Sequence, residues 1–77
     1  MTRLRLVPYR QLSKVAEAAG FQSARRKGSH NTFRNAEGRI VVLPDHDSQV
    51  IVRPLLRKIV RDLGLTADEY HRILDEL

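Results

Sequence analysis

FQSARRKGSHNTFRNAEGRIVVL, residues 21–43, is the stretch that decides the fold, because here the helical period vanishes and strand signals replace it. Phe21 to Lys27 reads as a first strand, Gly28-Ser29 as a short turn, and His30 to Arg34 as a second strand. Asn35-Ala36-Glu37-Gly38 has the composition of a turn, and Arg39-Ile40-Val41-Val42-Leu43 is β-branched enough to be the third and best-buried strand. Three antiparallel strands are expected. The strand period of two puts Phe33 on one face and His30, Thr32 and Arg34 on the other, so a core Phe33 leaves His30 accessible.

Helices flank this sheet on both sides in sequence. Upstream, Pro8 suits a first helical turn, and Leu12, Val15, Ala16 and Ala19 recur at helical spacing up to Gly20, where Phe21 can fold back onto Ala16. Downstream, Pro44-Asp45-His46-Asp47-Ser48 breaks the sheet, and Pro54 starts a helix with Leu55, Leu56, Ile59, Val60 and Leu63 on one face. Gly64 ends it. Thr66 and Glu69 then form a capping box, Leu65 can staple onto Tyr70, and Tyr70, Ile73, Leu74 and Leu77 make the stripe of a last helix running to the C-terminus. The order is α-β-β-β-α with an extra C-terminal helix, an α+β domain whose first two long helices pack together on one face of the sheet.

Composition narrows the function classes. The 77 residues suffice for one domain, 1–77, with 42% hydrophobic residues and a thin margin of burial. Without cysteine there is neither a disulfide framework nor a thiolate zinc site, and a reducing cytoplasm fits. The opening Met1 to Pro8 lacks the apolar run of a signal peptide, and no stretch approaches a membrane span, so a soluble, unexported protein is expected. The net charge is +5, and of the 14 lysines and arginines all but Arg72 precede Asp62. A basic body with an acidic tail helix places contacts with a polyanion upstream of residue 62.

The densest chemistry is Arg25-Arg26-Lys27-Gly28-Ser29-His30, with Arg34 nearby. Histidine can take or give a proton near neutral pH, and neighbouring cations can hold a phosphodiester against it, a combination that suggests RNA cleavage. The motif is short, and taken alone it leaves His30 open between a proton-transfer group and a turn histidine that bonds a backbone carbonyl.

Helix, then Gly20-Phe21, then Lys27-Gly28-Ser29-His30 with Phe33, then a strand ending at Pro44 with His46 two residues on, then a helix ending Gly64-Leu65-Thr66: this order resembles the HicA family of toxin-antitoxin ribonucleases, from about Tyr9 to Leu74. The resemblance implies a double-stranded-RNA-binding-domain-like fold, a metal-independent mRNA-cleaving activity without a cofactor, and a HicB-type antitoxin that neutralises it. DNA would be met only indirectly, through that antitoxin. The family's catalytic histidine falls on His30, with Gly28 permitting the turn and Ser29 capping it or donating to a phosphate. Arg25, Arg26, Lys27 and Arg34 are the expected RNA contacts. Asp45 and Asp47 depart from a basic path by adding negative charge where RNA could run.

Other readings are open at this point. His46 is a second proton-transfer candidate or a solvated loop residue, while His71 lies off the last helix's stripe and is expected to be exposed. Asp45-His46-Asp47 is no metal site, because adjacent residues of an extended segment point apart. With only four aromatics, a base-stacking platform is poorly supplied, so RNA would be gripped through phosphates and 2′-hydroxyls. The main alternative is a non-catalytic RNA-binding module of the same fold. A helix-turn-helix around Gly64 would need a last helix rich in Asp and Glu to approach phosphates, and a pure interaction protein overlaps with a toxin silenced by its partner.

Overall fold

Strands β1 (Gln22–Lys27), β2 (His30–Arg34) and β3 (Ile40–Pro44) form one antiparallel sheet in the order β1-β2-β3. The computed structural model describes residues 3–77; Met1 and Thr2, which begin the segment read above for a signal peptide, lie outside the described residues. Helix α1 (Tyr9–Ala18) precedes the sheet, and α2 (Arg53–Asp62) and α3 (Ala67–Asp75) follow it. This is the expected α+β order.

Local chemistry sets each boundary. Pro8 stands one residue earlier than expected, at the N-cap, where its carbonyl accepts the N–H groups of Gln11 and Leu12 at 3.2 and 3.1 Å. At the other end of α1, Gly20 adopts φ +94°, and the N–H groups of Gly20 and Phe21 donate to the carbonyls of Glu17 and Ala16. Those two bonds make a Schellman motif and turn Phe21 back into the core. On α3 the capping box forms as read: Thr66 Oγ1 accepts the Glu69 N–H at 3.1 Å, and Glu69 Oε1 accepts the Thr66 N–H at 2.8 Å. The Thr66 donors hold the Glu69 carboxyl below its ordinary value.

The core lies between one face of the sheet and the helices. Phe33, Val41 and Leu43 meet Leu12, Val15, Leu56, Ile59 and Tyr70 there, all buried. Truncating Phe33 to alanine would cost about 3–5 kcal/mol.

Four expectations are corrected by this packing. The helix pair packed most closely is α1 with α3, while α1 and α2 each lean mainly on β3. Leu55 is not a core residue; it is 37% exposed at the rim of α2 beside β3. Leu77 lies past the end of α3 and is 55% exposed, because the helix stops at Asp75 and carries no stripe further. His71 is half-buried, with its Nε2 accepting the Arg5 N–H at 3.0 Å. The cause of that last change is the N-terminal segment, which has no helical or strand period. It is strapped down by Tyr70 donating to the Arg5 carbonyl, by Arg53 donating to the Leu4 carbonyl, and by Arg5 pairing with Asp75.

Candidate functional site

The hairpin β1-β2 turns through Gly28 and Ser29, with Lys27 and His30 directly paired across its end. Gly28 has φ +59°, and Ser29 has none of the positive φ that favours glycine, the sign pattern of a type II′ turn. Any side chain at 28 would be strained there. The turn is anchored from the far side, since the Asp45 N–H donates to the Ser29 carbonyl at 2.6 Å. Hairpin and following loop therefore hold His30 between them.

Pairing register fixes which side chains share a face, because residues directly opposite in a ladder point to the same side. Asn31 and Phe33 are buried against the helices, so His30, Thr32 and Arg34 face away from them, and His30 is exposed. Lys27 lies opposite His30 and Arg25 opposite Thr32, both on that helix-free face. On the other flank His30 pairs with Pro44, and Thr32 with Val42. The exposed imidazole thus has Lys27 on one side, Arg25 and Arg34 further along the same face, and an apolar flank on the other side.

Arg26 is the member of the basic run that the structure separates from the rest. It lies opposite the buried Asn31, on the helix side, where it pairs with Asp45 and sits over the Tyr9 ring at 5.7 Å. A β-bulge between Ser23 and Arg25 causes this division. The extra residue, Ala24, shifts the alternation by one, so that Arg25 and Lys27 arrive on the face of His30 and Arg26 on the opposite one. Hydrogen bonding from Arg26 holds the Asp45 carboxyl below its ordinary value, helped by the Asp47 N–H. Arg26 is pushed up for the same reason, its bond to Asp45.

Beneath the site runs a polar chain that the sequence reading missed. Ser23 Oγ donates to Asn31 Oδ1 at 2.7 Å, and Asn31 Nδ2 donates to the Tyr9 hydroxyl at 2.6 Å. Asn31 is only 5% exposed, and among the described residues no buried side-chain polar atom lacks a partner. The signal was present in the strand period, which puts residue 31 on the face of Phe33 and so requires a buried amide with partners of its own. Through Tyr9, this chain ties β1 and β2 to the start of α1.

His46 and the neighbouring surface complete the inventory of candidates. His46 is exposed in the turn that closes when the Gln49 N–H donates to its carbonyl. A depression of about 450 Å³ lined by Tyr9, Arg10, Ser13, Asp45 and Asp47 adjoins the Arg26–Asp45 pair on the helix side. Among the described residues no helix is long and apolar enough to cross a membrane.

The family model described as the HicA toxin of bacterial toxin-antitoxin matches residues 9–65, from the first residue of α1 to the residue before the α3 cap. The chain belongs to the HicA toxin family. As a HicA toxin it is one half of a toxin-antitoxin system, and an antitoxin partner follows from that. The match contains His30, its cationic neighbours and the Asn31 chain beneath them. No curated protein matches this HicA chain in sequence.

Proposed function

We propose that this HicA toxin is an endoribonuclease that cleaves mRNA in the cytoplasm, with His30 as general acid/base, and that a HicB-type antitoxin neutralises it. The observation that supports this most is the exposed imidazole on the helix-free face, directly opposite Lys27 and sharing that face with Arg25 and Arg34. Cleavage requires a proton to leave a 2′-hydroxyl, a crowded anionic phosphorus to be stabilised, and a proton to reach the departing 5′-oxygen. His30 takes the first proton as the 2′-oxygen bonds to phosphorus. Lys27 and Arg25 offset the charge that develops on the phosphoryl oxygens. The P–O5′ bond then breaks, with a proton returned by the imidazolium or by water, leaving a 2′,3′-cyclic phosphate and a 5′-hydroxyl. Ser29, half-buried in the turn, caps the approach as a donor to phosphate.

The substrate's grip follows from what is exposed. Phe21, Phe33 and Tyr70 are buried, which removes them as stacking platforms, whereas Arg25, Lys27 and Arg34 are free for phosphates. Recognition through phosphates and 2′-hydroxyls gives weak sequence preference and strong salt dependence. Arg26 contributes as the clasp of the hairpin to Asp45 rather than as a direct contact, and Asp45 is correspondingly neutralised where it would otherwise repel RNA.

The test is to incubate end-labelled transcript with pure protein in excess chelator and analyse the fragment ends. Fragments carrying cyclic phosphate and 5′-hydroxyl termini are expected. RNA that stays intact while fully bound would contradict the nuclease and leave the RNA-binding module.

A further inference from the structure

The sheet has a second edge whose chemistry the nuclease reading does not use. Ile40 and Val42 are 55% and 44% exposed on β3, an edge strand by the sheet order. Together with Leu55 they line a groove of about 250 Å³ between β3 and α2, which also takes in His30, Pro44 and the ion pair Lys58–Asp62.

The backbone of that edge is unpaired at defined positions. The Asp45 N–H donates to Ser29 and the Asn35 N–H to Arg39, so these residue pairs are hydrogen-bonded rungs of the β2-β3 ladder. Rungs alternate, which makes Asn31 with Leu43 and Phe33 with Val41 the bonded pairs between them. Ile40 and Val42 consequently aim their N–H and C=O groups away from β2. Pro44 has no N–H to offer, so the free ladder ends beside His30. Strand β3 itself carries no charged residue, bulge or interior proline, the usual devices against strand pairing, and the nearest charges in the groove, Lys58 and Asp62 of α2, are paired with each other.

Charge selects among occupants. Pairing two copies of this chain across β3 would join two faces carrying Arg25, Lys27 and Arg34 in a molecule of net charge +5. An acidic partner meets no such repulsion. We propose that the antitoxin docks by adding an extended segment to the free edge of β3, with apolar side chains beside Ile40 and Val42 and an acidic one beside Pro44 that reaches His30 and Lys27. Placing the acidic group on His30 as a block to activity rests on the nuclease reading above; the strand addition itself does not. In such a complex the apolar contacts supply affinity and the carboxylate covers the imidazole.

The experiment uses the full isotope-labelled chain and, as the probe, the protein encoded by the reading frame adjoining its gene. The Ile40 and Val42 amides should exchange freely in the free chain and become protected in the complex, while Val41 and Leu43 are protected in both. The double variant Ile40→Lys/Val42→Lys should weaken binding by about tenfold or more without altering the fold, since both side chains are exposed. Amides 40 and 42 that still exchange freely in the complex, a double variant that binds as tightly as the parent, or no binding of the probe would each overturn the inference. Protection that grows with concentration in the chain alone would give the edge to a second copy and overturn it equally. RNA cleavage by the free chain is scored separately. A chain that docks through β3 yet never cuts RNA keeps this inference and loses the nuclease; one that cuts RNA without protection at β3 does the reverse.

Discussion

The two halves of one small sheet are built from opposite materials. Every residue of β1 is exposed, the strand is bulged, and Arg25, Arg26 and Lys27 guard its edge. On the other side β3 buries Val41 and Leu43 and exposes the apolar Ile40 and Val42 along its edge. The cationic half is held by polar links, Ser23 to Asn31 to Tyr9 at the start of α1 and Arg26 to Asp45 in the loop after β3. Hydrophobic packing against α1 and α2 holds the other half. His30 stands on the seam, with Lys27 to one side and Pro44 to the other. The difference teaches that a cationic surface can be held by a buried polar chain that fixes its register rather than by apolar packing alone.

Removing the charge of the first half should give the largest effect. The triple variant Arg25→Ala/Lys27→Ala/Arg34→Ala should weaken RNA binding by about 100-fold or more at low salt and flatten the slope of log K against log salt by about 2, measured by filter binding or anisotropy. Cutting the polar chain comes next. Asn31→Ala should cost about 1–3 kcal/mol in chemical denaturation, and hydrogen exchange should rise at β1 amides before those of β3. Equal loosening of both strands would erase the contrast between the halves.

A control lies far from both edges. Burial pushes Tyr70 up to about 12, above its ordinary 10.0. The folded chain therefore keeps this proton after the unfolded chain has lost it, so the contribution is whole below pH 10 and declines as pH rises from about 10 towards 12. A loss of order 2 kcal/mol is expected across that window, and Tyr70→Phe should remove the slope while costing about 1 kcal/mol for the bond to Arg5. The smallest effect belongs to Arg26→Ala. Its charge is already engaged on the helix side, so RNA affinity should change by no more than about twofold, against a clear loss for Lys27→Ala. Any loss of Tm in this variant should fade in strong acid. Asp45 is held below its ordinary pKa, so the clasp is present above the usual carboxylate range and lost as pH falls through the lower folded value.

The element order, the capping box and the exposure of His30 were all legible in the sequence, because each rests on a local period or a local hydrogen bond. The side on which Arg26 lies was not. It depends on one inserted residue, Ala24, whose bulge composition does not announce. Nor could periodicity foresee that Leu55 stays at a groove's rim or that His71 takes the Arg5 N–H, since both follow from where non-local segments come to rest. Asn31 was readable in principle from the same alternation that exposed His30, but its partners Ser23 and Tyr9 lie eight and twenty-two residues away.

The proposed nuclease turns on one imidazole, that of His30, acting on RNA rather than sitting beside it. Single-turnover cleavage of a labelled transcript by His30→Ala, with RNA binding and thermal stability measured on the same preparation, tests that directly. The rate should fall by about 100-fold or more while binding and Tm stay near those of the parent, because the side chain is exposed and removes only proton transfer. Cleavage at the parent's rate would contradict it.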